Sequence, residues 1–193
     1  MNTDLHGNPL SPPEPPAMLP ADARRLYLGG GGHYWHTVMS TIMMRRELLL
    51  EVVPIPTYPN REGADSILAD YSILTARLAT HEEALAYRRI HGGNFYAAGR
   101  ETFQRSPDVR LGDVRRIEWR AFCLRQILRR HGKPFEIDLD LNEWRMINKF
   151  MLGSATRLQV IRAVLANREV DTREKLRRLR WVATGLERDA VPA

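Results

Sequence analysis

The residues best placed to do chemistry in this chain are arginines that recur beside tryptophans. Lys133, Lys149 and Lys175 are the only lysines, so nearly all positive charge is guanidinium. A guanidinium binds phosphate or carboxylate through paired hydrogen bonds and lies flat on aromatic rings, where an ammonium acts as a point charge. Over residues 113–130, helical geometry puts Arg116, Arg120 and Arg130 near one azimuth and Arg115, Arg125 and Arg129 on the other flank. Trp119 then projects opposite Ile117, Leu124 and Leu128. Over 173–186 the arrangement returns: Arg173, Arg177 and Arg180 line up with Trp181 beside them, against an apolar face of Leu176, Leu179, Val182 and Leu186. An arginine row next to an exposed ring is the composition of protein-interface hot spots and of base-stacking RNA surfaces alike. Arg116, Arg120, Arg130, Trp119, Arg173, Arg177, Arg180 and Trp181 are therefore the expected partner-binding residues. The competing expectation is that each tryptophan packs against a neighbouring helix, because tryptophan is mostly buried in folded proteins.

Four other patterns bear on catalysis or cofactors. His33 and His36 can share one face of a helix start and, with His81 or Glu82, hold a metal. Zinc sites show four recognisable ligands, however, and the chain has neither a cysteine pair nor a His-Glu-x-x-His motif. Cys123 lies about one turn from Arg116, Arg120 and Arg130, which would favour a thiolate, but no orienting base stands in the local sequence, leaving His131 to approach through the fold. Glu136, Asp138 and Asp140 would point to one side of a strand, where a row of carboxylates can bind a divalent ion or form the wet face of a sheet. Gly29, Gly30, Gly31 and Gly32 offer the backbone freedom of a phosphate cradle, yet no strand precedes them and no Gly-Lys-Ser/Thr follows. No pattern unites nucleophile, base and orienting group, so the expectation is a protein without catalytic residues, metal or cofactor.

Composition sets the bounds around these sites. A length of 193 residues suits one domain with tails, and 44% hydrophobic with 27% charged residues is an ordinary globular balance. The formal charge of +6 favours acidic partners, nucleic acid or an acidic protein face, although a GC-rich genome also enriches arginine without any function. A single cysteine excludes an internal disulfide and fits a reducing intracellular compartment, with a mature organellar protein or a virion left open. The longest apolar stretch, 35–53, is cut by Arg45, Arg46 and Glu47, so no membrane span is expected.

The elements that must position these side chains are mainly helical. Six prolines in 9–20 make residues 1–20 an extended tail. A short helical turn over 22–28 ends in the four glycines, read as a hinge. Helical apolar spacing covers 34–53, stopped by Pro54 and Pro56, and returns after an Asp65 cap with Ile67, Tyr71, Leu74 and Leu78. Thr80 with Glu83 marks another helix ending at Gly92, and 94–103 a further short one. The clearest amphipathic helix is 113–130, closed by Gly132. Residues 135–141 alternate apolar and acidic with period two, the pattern of a half-buried strand, but with no strong second strand in the sequence they are either an isolated extended connector or an edge that pairs with a partner. Three helices should follow, capped by Asn142, Ser154 and Asp171 with Glu174. The expected fold is thus mainly α, an irregular multi-helix domain over 21–170 with at most one or two short strands, an extended Pro-rich N-terminal tail, and a C-terminal helix over 171–193 able to act as a docking arm. The function expected of it is that of a non-enzymatic helical subunit or adaptor of a larger macromolecular assembly, with other protein subunits as partners. The alternative is an RNA- or DNA-binding protein that uses arginine-phosphate and tryptophan-stacking contacts.

Overall fold

Seven α-helices, read from a computed structural model, make up most of the described residues, which are 2–3, 23–32, 42–56, 64–79, 88–89, 106–168 and 171–184. In chain order they are α1 (Ala23–Gly29), α2 (Arg46–Val52), α3 (Ala64–Thr75), α4 (Pro107–Arg130), α5 (Glu143–Met151), α6 (Arg157–Ala166) and α7 (Thr172–Thr184). A 3-10 turn, Leu139–Leu141, precedes α5. Two-residue strands, β1 (Asn2–Thr3) and β2 (Arg88–Arg89), form one short parallel ladder. The Pro-rich segment, the helix expected over 94–103 and the histidines at 33 and 36 lie outside the described residues, as does the helix expected from Thr80 to Gly92 except at Arg88–Arg89, which is a strand and not helical there.

The long helix α4 organises the rest. It begins six residues earlier than the apolar period suggests, because Ser106 accepts from Val109 N at the N-cap and Pro107 fills the first helical position, where a missing N–H costs nothing. Its 24 residues extend ~36 Å at 1.5 Å per residue, long enough to line the first hydrophobic cluster and also pack against α5. Cys123, Leu124, Ile127 and Leu128 pack into the first with Tyr27, Val52, Ile67, Leu68, Tyr71, Ile73 and Ile137. Full burial of each large side chain stabilises by roughly 1.5–3 kcal/mol. In α3, all seven residues from 67 to 73 are buried, so that helix is enclosed on every side. The second cluster joins Met146 and Ile147 of α5, Val160, Ala163 and Val164 of α6, and Trp181 and Val182 of α7. Within the stretch 171–193 expected as a docking arm, α7 thereby places Trp181 and Val182 in a cluster shared with α5 and α6.

Several local expectations are corrected. The helix expected over 34–53 is shorter: residues 42–45 are not helical, Arg45 is extended (φ −63°, ψ 140°), and α2 starts only at Arg46. Burial along 42–45 alternates, with Met44 packed on the first cluster and Met43 exposed, so these apolar residues serve an extended segment as well as a helix. The segment 135–141 is not a strand. Its period-two burial is real, since Phe135, Ile137 and Leu139 face the first cluster, but no neighbouring strand pairs with it among the described residues. Asp138 instead accepts from Asp140 N and opens the 3-10 turn. The cap of α6 is Thr156, which exchanges a full capping box with Gln159, and not Ser154. The caps at Asn142 and Asp171 are as expected, accepting from Arg145 N and Glu174 N.

The glycines after α1 are a site of close approach and not a hinge. Gly31 (φ +63°) and Gly32 (φ +78°) take left-handed backbone, and a Cβ on Gly31 would stand 2.3 Å from Asn142 N and 2.6 Å from Asp138 O. The Asn142 amide donates to Gly31 O at 3.2 Å, pinning the turn to the cap of α5. Gly132 has the same φ of +63° but nothing within 4 Å of its would-be Cβ. Gly132→Ala should therefore cost about 1–2 kcal/mol from conformation alone, whereas Gly31→Ala should cost clearly more, measured as the difference between the two variants in urea unfolding. Equal losses would show that the close approach contributes nothing.

Candidate interaction surfaces

The eight arginines and tryptophans expected at an interface divide between the interior and the surface. Arg120, on the inner side of α4, points its Nε at Asp70 Oδ2 of α3 (3.0 Å) and donates from Nη2 to Gly32 O (2.9 Å). Tyr27 of α1 completes the group through a hydrogen bond to Asp70. Burial alone would lower the Arg120 pKa, but the Asp70 carboxylate, with Tyr27 and Asp65 behind it, outweighs burial and raises it. Burial and then Asp70 push the Tyr27 hydroxyl well above its usual 10.0. This arginine holds the fold and is not offered to a partner.

Arg130 donates from Nη2 to Val52 O (3.1 Å), and its neighbour His131 meets Glu51 O (2.9 Å), so the basic end of α4 satisfies the last carbonyls of α2. Lys133 extends the same corner by donating to Glu51 (2.6 Å) and to the Tyr71 hydroxyl (2.9 Å). Arg116 pairs with Asp113 (3.1 Å) along its own helix. Trp119 is half-buried against the first cluster and stacks on Phe122, ring centroids 5.2 Å apart and planes at 25°.

Trp181 is 7% exposed and belongs to the second cluster, so it does not stand beside the arginine row as expected. Relative to the expected apolar face, α7 is turned to admit Trp181 with Leu179 and Val182, leaving Leu176 outside at 61% exposure. The larger apolar area of an indole decides this rotation. Arg173, Arg177 and Arg180 remain on the outer side of α7, with Arg177 paired to Glu174 (2.7 Å). Arg178, which the sequence did not single out, runs inward to the buried Glu143 of α5, a carboxylate that also accepts from Asn167 (2.6 Å). Arg145 likewise joins Glu118 (2.8 Å) and Asp140 (3.0 Å).

Cys123 and the carboxylates at 136, 138 and 140 each have a structural setting. Cys123 is fully buried, and burial raises its thiol pKa from the usual 9.0 instead of the neighbouring guanidinium charge lowering it. The row of three carboxylates is met by three arginines: Glu136 by Arg24 (2.8 Å), Asp138 by Arg162 (3.5 Å) and Asp140 by Arg145. Among the described residues no group of three or more His, Cys, Asp or Glu side chains is placed to hold a metal ion, and no helix is long and apolar enough to cross a membrane.

Among the described residues, unburied apolar groups lie beside cations on α6 with α7 and on α4, as well as around α2. On α6, Leu158 (74% exposed) and Leu165 (56%) are seven residues apart, hence on one line ~10 Å long. Lys175 of α7 donates to Leu165 O (3.1 Å), bringing the turn that carries Leu176 beside that line. On α4, Phe122 is 45% exposed on a face shared with Arg115 and Arg129. The chain matches no protein-family model, no curated protein and no solved structure.

The buried pair and the buried acids give two checks. Asp70→Ala should cost about 3–5 kcal/mol by leaving the Arg120 charge unpaired in the interior, while Arg24→Ala, at the exposed pair with Glu136, should change stability by less than about 1 kcal/mol. Urea titration of both variants reads the contrast. Cys123, Tyr27 and Tyr71 all have raised pKa values, chiefly through burial, so they stay protonated in the folded chain at pH values where the unfolded chain ionises. Their contribution is fully present below the unfolded values of 9.0 and 10.0 and is lost as pH rises through the higher folded values. Unfolding free energy measured upward from neutrality should decline from near pH 9, and Cys123→Val should remove the earliest part of that decline.

Proposed function

We propose that this chain is a non-enzymatic helical subunit or adaptor of a larger macromolecular assembly, and that it docks a protein of acidic and apolar surface on the outer side of α6 and α7. The observation that carries this reading is the exposure of Leu158, Leu165 and Leu176 together on a helical pair that is otherwise well packed. Grouped apolar exposure rimmed by charge marks interaction sites in soluble proteins, whereas single exposed leucines do not.

Charge complementarity selects the partner. Residues 157–184 hold eight basic side chains, Arg157, Arg162, Arg168, Arg173, Lys175, Arg177, Arg178 and Arg180, against Glu169, Asp171 and Glu174. This stretch therefore accounts for +5 of the chain's net +6. A second copy of the chain would meet this surface with like charge, and an acidic amphipathic helix would meet it with its opposite. The nucleic-acid alternative is weaker on this surface, because Trp181, one of the two rings expected to stack a base, is buried at 7% exposure.

A photo-crosslinking residue placed in turn at 158, 165 and 176 of the full chain, in its native cells and after nuclease treatment, should join one protein through a peptide rich in Asp, Glu and apolar residues. Binding of that protein, once purified, should weaken at least about 100-fold in the Leu158→Ser/Leu165→Ser/Leu176→Ser variant, since each leucine contributes roughly 1.5–3 kcal/mol when fully covered and 1.4 kcal/mol is tenfold. Absence of any adduct at all three positions, or unchanged affinity in the triple variant, would overturn the proposal.

A further inference from the structure

The outer face of α4 carries a second surface, distinct in chemistry from the leucine line on α6 and α7. Measured around the helix axis at 100° per residue, Leu111, Arg115, Phe122 and Arg129 fall within about 40° of one another. All four are exposed. They form a nearly straight row in which Arg115 stands ~10 Å from Phe122 on one side and Arg129 ~10 Å on the other, at 1.5 Å per residue. Arg115 and Arg129 make no ion pair among the described residues. On the flanks of the row, Trp119 stacks behind Phe122, and Arg125 lays its guanidinium 4.5 Å from the Phe135 ring centroid. The carboxylates near the row are Glu118, already engaged by Arg145, and Asp108 in the first turn.

From this arrangement we infer that the α4 face is a stacking site for single-stranded nucleic acid, with a base on the open side of Phe122 and backbone phosphates on Arg115 and Arg129. Each part of the row meets a separate demand of such a ligand. An unpaired base needs a ring held flat and open on one side, and Trp119 fixes the Phe122 ring from behind. A phosphate needs a cation that is not already spent on a carboxylate, and the two outer arginines are free of such partners among the described residues. The distance from Arg115 to Arg129, ~21 Å at 1.5 Å per residue, accommodates a few nucleotides. A duplex keeps its bases stacked on one another and cannot offer a face to Phe122, so selection for the single strand is the signature of this site. The inference does not depend on the protein-docking surface of α6 and α7, which shares none of these residues.

Fluorescence anisotropy of a labelled 12-nucleotide oligouridine, titrated with the full chain at low salt, tests it. Binding is expected, with a duplex of equal length bound more weakly. Phe122→Ala, with the fold of the variant confirmed by a cooperative melting curve, should weaken oligouridine binding by about tenfold or more. Arg115→Ala/Arg129→Ala should flatten the dependence of log affinity on log salt by about 1.4, at ~0.7 per phosphate contact on a single strand. Leu158→Ser/Leu165→Ser should bind oligouridine as the parent does, which separates this site from the proposed protein-docking surface. No binding at low salt, equal affinity for duplex and single strand, or loss in the arginine variant with none in Phe122→Ala would each overturn the inference. The last outcome would mean charge attraction alone.

Discussion

A guanidinium held out of water must find an acceptor for its donors, and at Arg120 those acceptors come from parts of the chain distant in sequence. Asp70 reaches it from α3 and Gly32 O from the turn after α1, with Tyr27 bound to the same carboxylate. The turn can come that close only because Gly31 and Gly32 carry no Cβ and accept left-handed backbone. Its other side then lies against Asn142, whose side chain both donates to Gly31 O and caps α5. Arg145, in the first turn of α5, returns to α4 through Glu118. One buried charge on α4 thus sets the placement of α1, α3 and the start of α5, and through α5 the second hydrophobic cluster.

The polar interior is arranged in the same way further along the chain. Asn148 accepts from Arg110 (3.3 Å) where α5 crosses the first half of α4, and Glu143 gathers Arg178 and Asn167 where α7 and the end of α6 meet α5. These contacts are directional, whereas the apolar contacts around Met146 and Val164 tolerate sliding. Burying charged groups gives no large net stabilisation over an apolar core, so their value lies in fixing which helix faces which. The surfaces on α4 and on α6 with α7 follow from that register. Once Arg120, Arg145 and Arg178 have turned inward, Arg115 and Arg129 of α4 and Arg173, Arg177 and Arg180 of α7 are among the guanidiniums left on the outer sides of their helices.

Helical periodicity and caps were sufficient to place α3, α5 and α7 and the end of α4, because those signals are local and the residues that make them are adjacent in sequence. The early start of α4 was legible too, in Ser106 followed by Pro107 and Asp108, a cap that an apolar period beginning at Val114 overlooks. At 135–141 the period of two reported burial correctly and left connector and strand edge open, since alternation describes any extended segment lying on a core and a sheet needs a second strand that no local pattern provides. At 42–45 the same ambiguity ran the other way, with apolar residues dense enough to fit a helical period while the backbone is extended. The glycine run was legible as conformational freedom, but its close approach to Asn142 depends on a contact 111 residues away.

The division of arginines and tryptophans between inside and outside was the least legible feature, and the reason is that it is decided by acceptors on other helices. Spacing alone gives Arg120 and Arg116 one azimuth, yet Arg120 meets Asp70 on α3 while Arg116 pairs with Asp113 on its own helix. The informative residue is the carboxylate. Asp70 sits among Ile67, Leu68, Ala69, Tyr71 and Ile73 in a helix with no polar side of its own, and a carboxylate there requires a cation from elsewhere. Glu143, buried at the start of α5, makes the same demand and receives Arg178. Counting such carboxylates first, and assigning to each the guanidinium that must satisfy it, leaves the remaining arginines as the surface set. On α4 that procedure sets aside Arg120 and Arg145's partner Glu118 and leaves Arg115 and Arg129 beside Phe122, so the row that can meet a ligand is the one not drawn into the interior.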